Sequence, residues 1–137
     1  MLVAYLGPKG SFTHHVALES FEEATLCPYG SITEVIKAYE SDQVDYAVIP
    51  VENSIEGSVH ETIAYLFHQA HFQAIAEVVY PIKQQLLAVK QDQAIEVIYS
   101  HPQALAQGKS YVQEHFPQAR LEMTTSTSYA ARYVSQH

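Results

Sequence analysis

Glu52-Asn53-Ser54 follows directly on the apolar run Tyr46-Ala47-Val48-Ile49-Pro50-Val51, and that junction is the most chemically suggestive in the chain. A buried strand that spills at once into Glu, Asn and Ser puts hydrogen-bonding groups at its carboxyl end, where open α/β sheets bind ligands. Three further junctions share this grammar: Gly7-Pro8-Lys9-Gly10-Ser11-Phe12-Thr13, Ser100-His101-Pro102-Gln103 and Thr124-Thr125-Ser126-Thr127. Each leads into a helical pattern, whose first N–H groups lack intrahelical partners and whose dipole is positive at that end. Ser and Thr hydroxyls and the Asn53 amide add side-chain donors. Several such termini facing one another would hold a small dianion without many basic residues. Any one Ser or Thr is also an ordinary N-cap, and singly that is the simpler reading. A cap alone does not call for both Glu52 and Asn53 straight after a strand, so Asn53 carries the ligand reading.

Other chemistries find less support. The eight histidines are scattered. His14 and His15 are adjacent, so a helix points their rings in different directions. His68 and His71 stand three apart on an expected helix, but no carboxylate joins them at ligand spacing; they read as solvated helix-face residues, with no metal site. The Gly7 to Gly10 turn lacks the Gly-Lys-Ser/Thr ending of a phosphate loop and the three spaced glycines of a dinucleotide site. No Ser, His and Asp follow a local triad pattern.

Fifteen acidic residues against seven Lys plus Arg leave a formal net charge of -8. That balance argues against nucleic acid and against an anionic membrane surface. A hydrophobic content of 47% supports a packed core. The lone Cys27 excludes a disulfide within the chain and reads as a small buried hydrophobe in a reducing compartment. The apolar opening Met1-Leu2-Val3-Ala4-Tyr5-Leu6 is short and has no basic region before it, so it reads as a strand rather than a signal peptide. Cytoplasm is the expected location.

The elements that must position these junctions alternate along the chain. Strands are expected at 2–6, 24–29 and 46–51, and helices at 11–21, from Ser31, and from Ser58. The helix after Ser31 shows Ile32, Val35, Ile36 and Tyr39 at helical spacing, and the one after Ser58 shows Val59, Ile63, Leu66, Phe67 and Ala70 on one stripe. Three strand–helix units predict a mostly parallel sheet. Runs 72–80 and 85–89 then read as strands about Pro81, crossing from one lobe to another. A strand at 96–100, a helix at 102–115, a strand at 120–124 and a helix from Ser126 complete the pattern. The expected division is a first α/β lobe over 1–75 and a second over 76–137. The last helix has neither cap nor closing strand, so the chain reads as cut short.

Four of these segments, in order, resemble the motifs of the prephenate dehydratase family. They are Gly7-Pro8-Lys9-Gly10-Ser11-Phe12-Thr13-His14, Pro50-Val51-Glu52-Asn53-Ser54-Ile55-Glu56-Gly57-Ser58-Val59, Tyr99-Ser100-His101-Pro102-Gln103-Ala104-Leu105-Ala106-Gln107, and Ser126-Thr127 followed by Ala130-Ala131. The resemblance implies a two-lobe α/β fold like the type II periplasmic binding proteins, with mostly parallel sheets, flanking helices and the site in the cleft. It implies that prephenate loses its ring carboxylate as carbon dioxide and its ring hydroxyl as water, giving phenylpyruvate for phenylalanine biosynthesis. Aromatisation drives such a reaction, so no cofactor is expected, while the departing hydroxide needs a proton donor.

By the same resemblance Asn53, Ser100 and Gln107 bind and orient substrate, Glu52 is a further polar partner, and Ser11, Thr13 and Ser126 add donors. The family's acid, the Thr of a Thr-Arg-Phe/Tyr motif, has no counterpart in these 137 residues, and a regulatory ACT domain usually follows that motif. A homodimer or higher homo-oligomer is implied. Gln84 stands where the family commonly has His, and Gly108 where it often has Cys; a glycine inside a helix suggests close packing there. A non-catalytic module binding a small carboxylate in the same cleft is the alternative.

Overall fold

The computed structural model describes residues 1–53, 57–68 and 71–137. Ser54, Ile55 and Glu56 of the central motif, and Ala70 of the expected stripe, lie outside them. The chain forms two compact units, Met1–Pro81 and Ile82–His137.

The first unit is built on three parallel strands, β1 (Leu2–Leu6), β2 (Thr25–Tyr29) and β3 (Tyr46–Val48), in the order β2-β1-β3. Central β1 pairs Ala4 with Cys27 on one side and with Ala47 on the other. Helix α1 (Phe12–Ser20) links β1 to β2, and α2 (Ile32–Glu40) links β2 to β3. Alternation along β1 sends its side chains to opposite faces. Ala4 joins Val35, Ala38 and Val44 in a buried cluster under α2, while Tyr5 stacks on His14 of α1. The helices therefore cover opposite faces, as right-handed crossovers in this strand order require.

The third strand is shorter than the run 46–51 suggested, because Pro50 has no N–H to continue the ladder. A two-residue hairpin follows, β4 (Glu52–Asn53) against β5 (Gly57–Ser58), and then α3 (His60–His68). The expected stripe on this helix is corrected in part. Thr62 is the buried residue, with Val59 and Ile63 half-buried, whereas Phe67 is 82% exposed. His71 falls beyond the helix, so His68 and His71 do not share a helical face. Cys27 is half-buried rather than fully enclosed.

The strands expected at 72–80 and 85–89 do not form among the described residues. Apolar alternation makes a strand only when a neighbouring edge accepts its hydrogen bonds. Here Ile75, Val79, Leu87 and Val89 are strongly exposed.

The second unit pairs β6 (Val97–Ser100) in parallel with β7 (Arg120–Met123). Helix α4 (Pro102–His115) connects them, and α5 (Thr127–Gln136) follows. Buried Ile98 on β6 and Ala130 on α5 mark this unit's small core, and Tyr99 meets Tyr133 with ring centroids 4.9 Å apart.

Candidate active site

In a sheet ordered β2-β1-β3, the crossover after β1 runs to one side and the crossover after β2 returns past β1 to the other. The carboxyl ends of β1 and β3 therefore lie side by side, the edge where open α/β sheets bind ligands. The Gly7 to Thr13 turn and the Glu52-Asn53 segment both lie at that edge. Gly7 is demanded by close approach: a Cβ there would meet the Pro28 Cβ and the Tyr29 carbonyl oxygen at 3.2 Å each. Its N–H donates to that carbonyl at 2.8 Å. Gly10 takes a positive φ of 93°, open to glycine at little cost.

Side chains from the start of α1 close this turn. The Ser11 hydroxyl donates to the Leu6 carbonyl at 2.9 Å and accepts from the His14 N–H at 3.2 Å, the expected N-cap. The Thr13 hydroxyl donates to the same carbonyl. Both hydroxyl hydrogens thus turn inward, and the two residues act here by shaping the turn. Nδ1 of His14 accepts from the Gly10 N–H at 3.0 Å, which puts the ring hydrogen on Nε2. His14 is 9% exposed. Burial first, then the charges of His15 and Lys9, hold its pKa below the usual 6.5, so the ring is neutral. Sequence alone gave His14 no role beyond its adjacency to His15; its spacing from Gly10, i to i+4, was the signal available.

The Glu52-Asn53 segment is anchored at its base. Thr62 is fully buried, and its hydroxyl donates to the Pro50 carbonyl at 2.7 Å. The Val59 N–H donates to the Val51 carbonyl at 2.7 Å. Asn53, half-buried, pairs across the hairpin with Gly57, whose φ is 81°, and exposed Glu52 pairs with Ser58. Further on, Glu61 accepts from both the N–H and the hydroxyl of Thr33, at 3.1 and 2.6 Å, tying α3 to the start of α2. Nothing in the local sequence marked Thr62 or Glu61 as supports.

In the second unit Ser100 ends β6, and its carbonyl accepts from the Thr124 N–H at 2.8 Å. The carboxyl ends of β6 and β7 therefore lie side by side, and α4 and α5 both begin at this edge. His101 caps α4 through Nδ1, which accepts from the Gln103 N–H at 3.2 Å, and Pro102 occupies the first turn. Ser126 caps α5, accepting from the Tyr129 N–H at 3.0 Å. Its carbonyl accepts from the Thr124 hydroxyl at 2.8 Å. Two helix N-termini at one sheet edge concentrate positive potential there. Gln103 and Gln107 share a face of α4, and the Gln107 Oε1 accepts from Gln84 Nε2 at 2.8 Å. Gln84 was not among the residues expected at the site.

Gly108 corrects the close-packing expectation: a Cβ there would meet nothing within 4 Å. No group of three or more His, Cys, Asp and Glu side chains suited to a metal is found among the described residues. Among them, too, no helix is long and apolar enough to cross a membrane.

The prephenate dehydratase family model matches residues 3–137. A protein named prephenate dehydratase from Lactococcus lactis subsp. lactis (strain IL1403) is 50% identical over all of this chain and 49% of its own length. The chain thus spans about half the length of the curated relatives it matches. The X-ray structure of prephenate dehydratase from Streptococcus mutans is 67% identical, with a TM-score of 0.59, over 60% of this chain and 43% of that one. That of Arthrobacter aurescens, described as a complex with L-Phe, is 27% identical with a TM-score of 0.81, over 98% of this chain and 45% of that one. The mixed α/β architecture is accordingly the periplasmic-binding-protein-like fold of these enzymes. On the match across nearly its whole length, the chain belongs to the prephenate dehydratase family.

Proposed function

We propose that this chain supplies the substrate-binding part of a prephenate dehydratase, a cytoplasmic carbon–oxygen lyase acting as a homodimer or higher homo-oligomer. Helix N-termini in its first lobe, 1–75, and in its second lobe, 76–137, are each of the kind that suits a carboxylate. The observation that carries this reading is the edge of the β6–β7 sheet, where two capped helices begin beside Ser100. Such an edge suits a carboxylate in a chain of net charge -8, because main-chain dipoles supply the attraction locally.

In this reading Asn53, Ser100 and Gln107 orient the substrate, and Glu52 is a polar neighbour. Ser11, Thr13 and Ser126 hold the turns from which α1 and α5 begin. The bond from the ring to its carboxylate breaks, and its electron pair completes the aromatic ring. The ring C–O bond breaks as hydroxide leaves with a proton from an acid. The family resemblance puts that acid in a Thr-Arg-Phe/Tyr motif that residues 1–137 do not contain. These 137 residues alone should therefore form little or no phenylpyruvate, and the full-length protein should form it rapidly.

Phenylpyruvate formation by the full-length protein tests this, with Asn53→Ala beside it. A fall in kcat/KM of about a hundredfold or more with unchanged unfolding behaviour is expected, the scale of losing a group that acts in the transition state. Binding of prephenate without turnover would favour the non-catalytic carboxylate-binding module instead.

A further inference from the structure

Gln107 carries one acceptor and one donor end on its side-chain amide, and only one of them can face a ligand. Its Oε1 accepts from Gln84 Nε2 at 2.8 Å, and its Nε2 makes no hydrogen bond to a described residue. Both residues belong to the second unit, 23 positions apart, with Gln84 on the exposed segment before β6 and Gln107 on α4. A carboxylate ligand accepts hydrogen bonds and donates none, so it is served only by the NH2 end.

We infer that Gln84 is a positioning residue, which by donating to the Gln107 carbonyl keeps the Gln107 NH2 turned toward the bound carboxylate. This rests on the reading that Gln107 meets substrate. Gln84 itself touches no reacting atom in this scheme. It acts by excluding the reversed amide, in which the Gln107 oxygen would face an anion and repel it. Such an arrangement removes an orientational choice before the substrate arrives, and that preorganisation is what binding groups otherwise lose free energy to achieve.

The test uses the full-length protein and three variants that differ in hydrogen-bond sense. Gln84→Lys can only donate, Gln84→Met can do neither, and Gln84→Glu can only accept, which turns the Gln107 NH2 toward itself. For prephenate, kcat/KM should stay within about threefold in Gln84→Lys. It should fall about fivefold in Gln84→Met and thirtyfold or more in Gln84→Glu, mostly through KM, the range expected for losing and then reversing one charge-assisted hydrogen bond. In a Gln107→Ala background the same three changes should each move activity less than about twofold, because the group they act through is gone.

Gln84→Glu matching Gln84→Met would overturn the inference. So would a Gln84→Glu loss that persists without Gln107, which would mark a direct charge effect on substrate. Hydrogen exchange of the Gln107 side-chain NH2, followed by NMR, decides the orientation without turnover. It should be fast in the unmodified protein and slowed only in Gln84→Glu; equal protection in both would sink the proposal. An unmodified protein that makes no phenylpyruvate would remove the dehydratase reading, while this exchange measurement still decides how Gln84 sets Gln107.

Discussion

The Thr62 hydroxyl on α3 donates to the Pro50 carbonyl across 2.7 Å, and the donor residue is completely buried. This bond fixes the exit of β3 two residues before Glu52 and three before Asn53. Thr62→Val keeps the shape of the side chain but leaves a carbonyl without its partner. We expect the full-length variant to lose about 1–3 kcal/mol in urea unfolding, with a larger fall in kcat/KM than a remote surface change of equal cost. A variant as stable as the parent would mean that water replaces the hydroxyl.

His14 makes folding sensitive to acid. Its ring is neutral, stacked on Tyr5 with centroids 4.9 Å apart, and accepts from Gly10, while His15 and Lys9 add like charge nearby. Its folded pKa is lowered from 6.5. Below that ordinary value an unfolded His14 takes up a proton that the folded ring refuses. The stability it allows is therefore complete above the unfolded pKa and declines as pH falls toward the lower folded one. His14→Asn offers an acceptor of similar reach that does not titrate, so its stability should fall less between pH 6.5 and the acid limit of folding. Parallel pH profiles of denaturant midpoints would contradict this.

Gly108 lies within α4 with open space where a Cβ would go. Replacement by Ala should stabilise the protein by about 1 kcal/mol, because glycine's extra freedom in the unfolded chain is removed and no clash is created. The readout is the urea midpoint, with phenylpyruvate formation unchanged.

Ser126 separates capping from ligand binding. Its hydroxyl accepts from the Tyr129 N–H at 3.0 Å. Ser126→Ala should cost about 1 kcal/mol, the usual loss for an N-cap. Ser126→Asp caps as well, so stability should be kept, but its charge faces the proposed carboxylate, and kcat/KM for prephenate should drop about tenfold or more. Full activity in the Asp variant would place the substrate away from the start of α5.

The alternation of strands and helices was legible in the chain because each signal is local. Buried strands read as short apolar runs, and Ser11, Ser31 and Ser126 cap the helices they precede. Pro102 opens α4 within the expected bounds. The runs 72–80 and 85–89 misled because a strand is a relation between two edges, and apolar alternation reports only one of them. The stripe after Ser58 misled by rotation: a polar Thr62 faces inward where only apolar residues were counted, since its hydroxyl finds the Pro50 carbonyl.

Residue order alone determined the strand–helix units, the junctions rich in Ser, Thr and Asn, and the family. All of these depend on neighbours within a few positions or on a pattern kept in order. Tertiary structure decided that His14 is buried and neutral, that Thr62 anchors the turn before Asn53, and that Gln84 reaches Gln107. Hydrogen bonds made 12 and 23 residues apart leave no periodic mark in a sequence, because they depend on where the backbone returns in space.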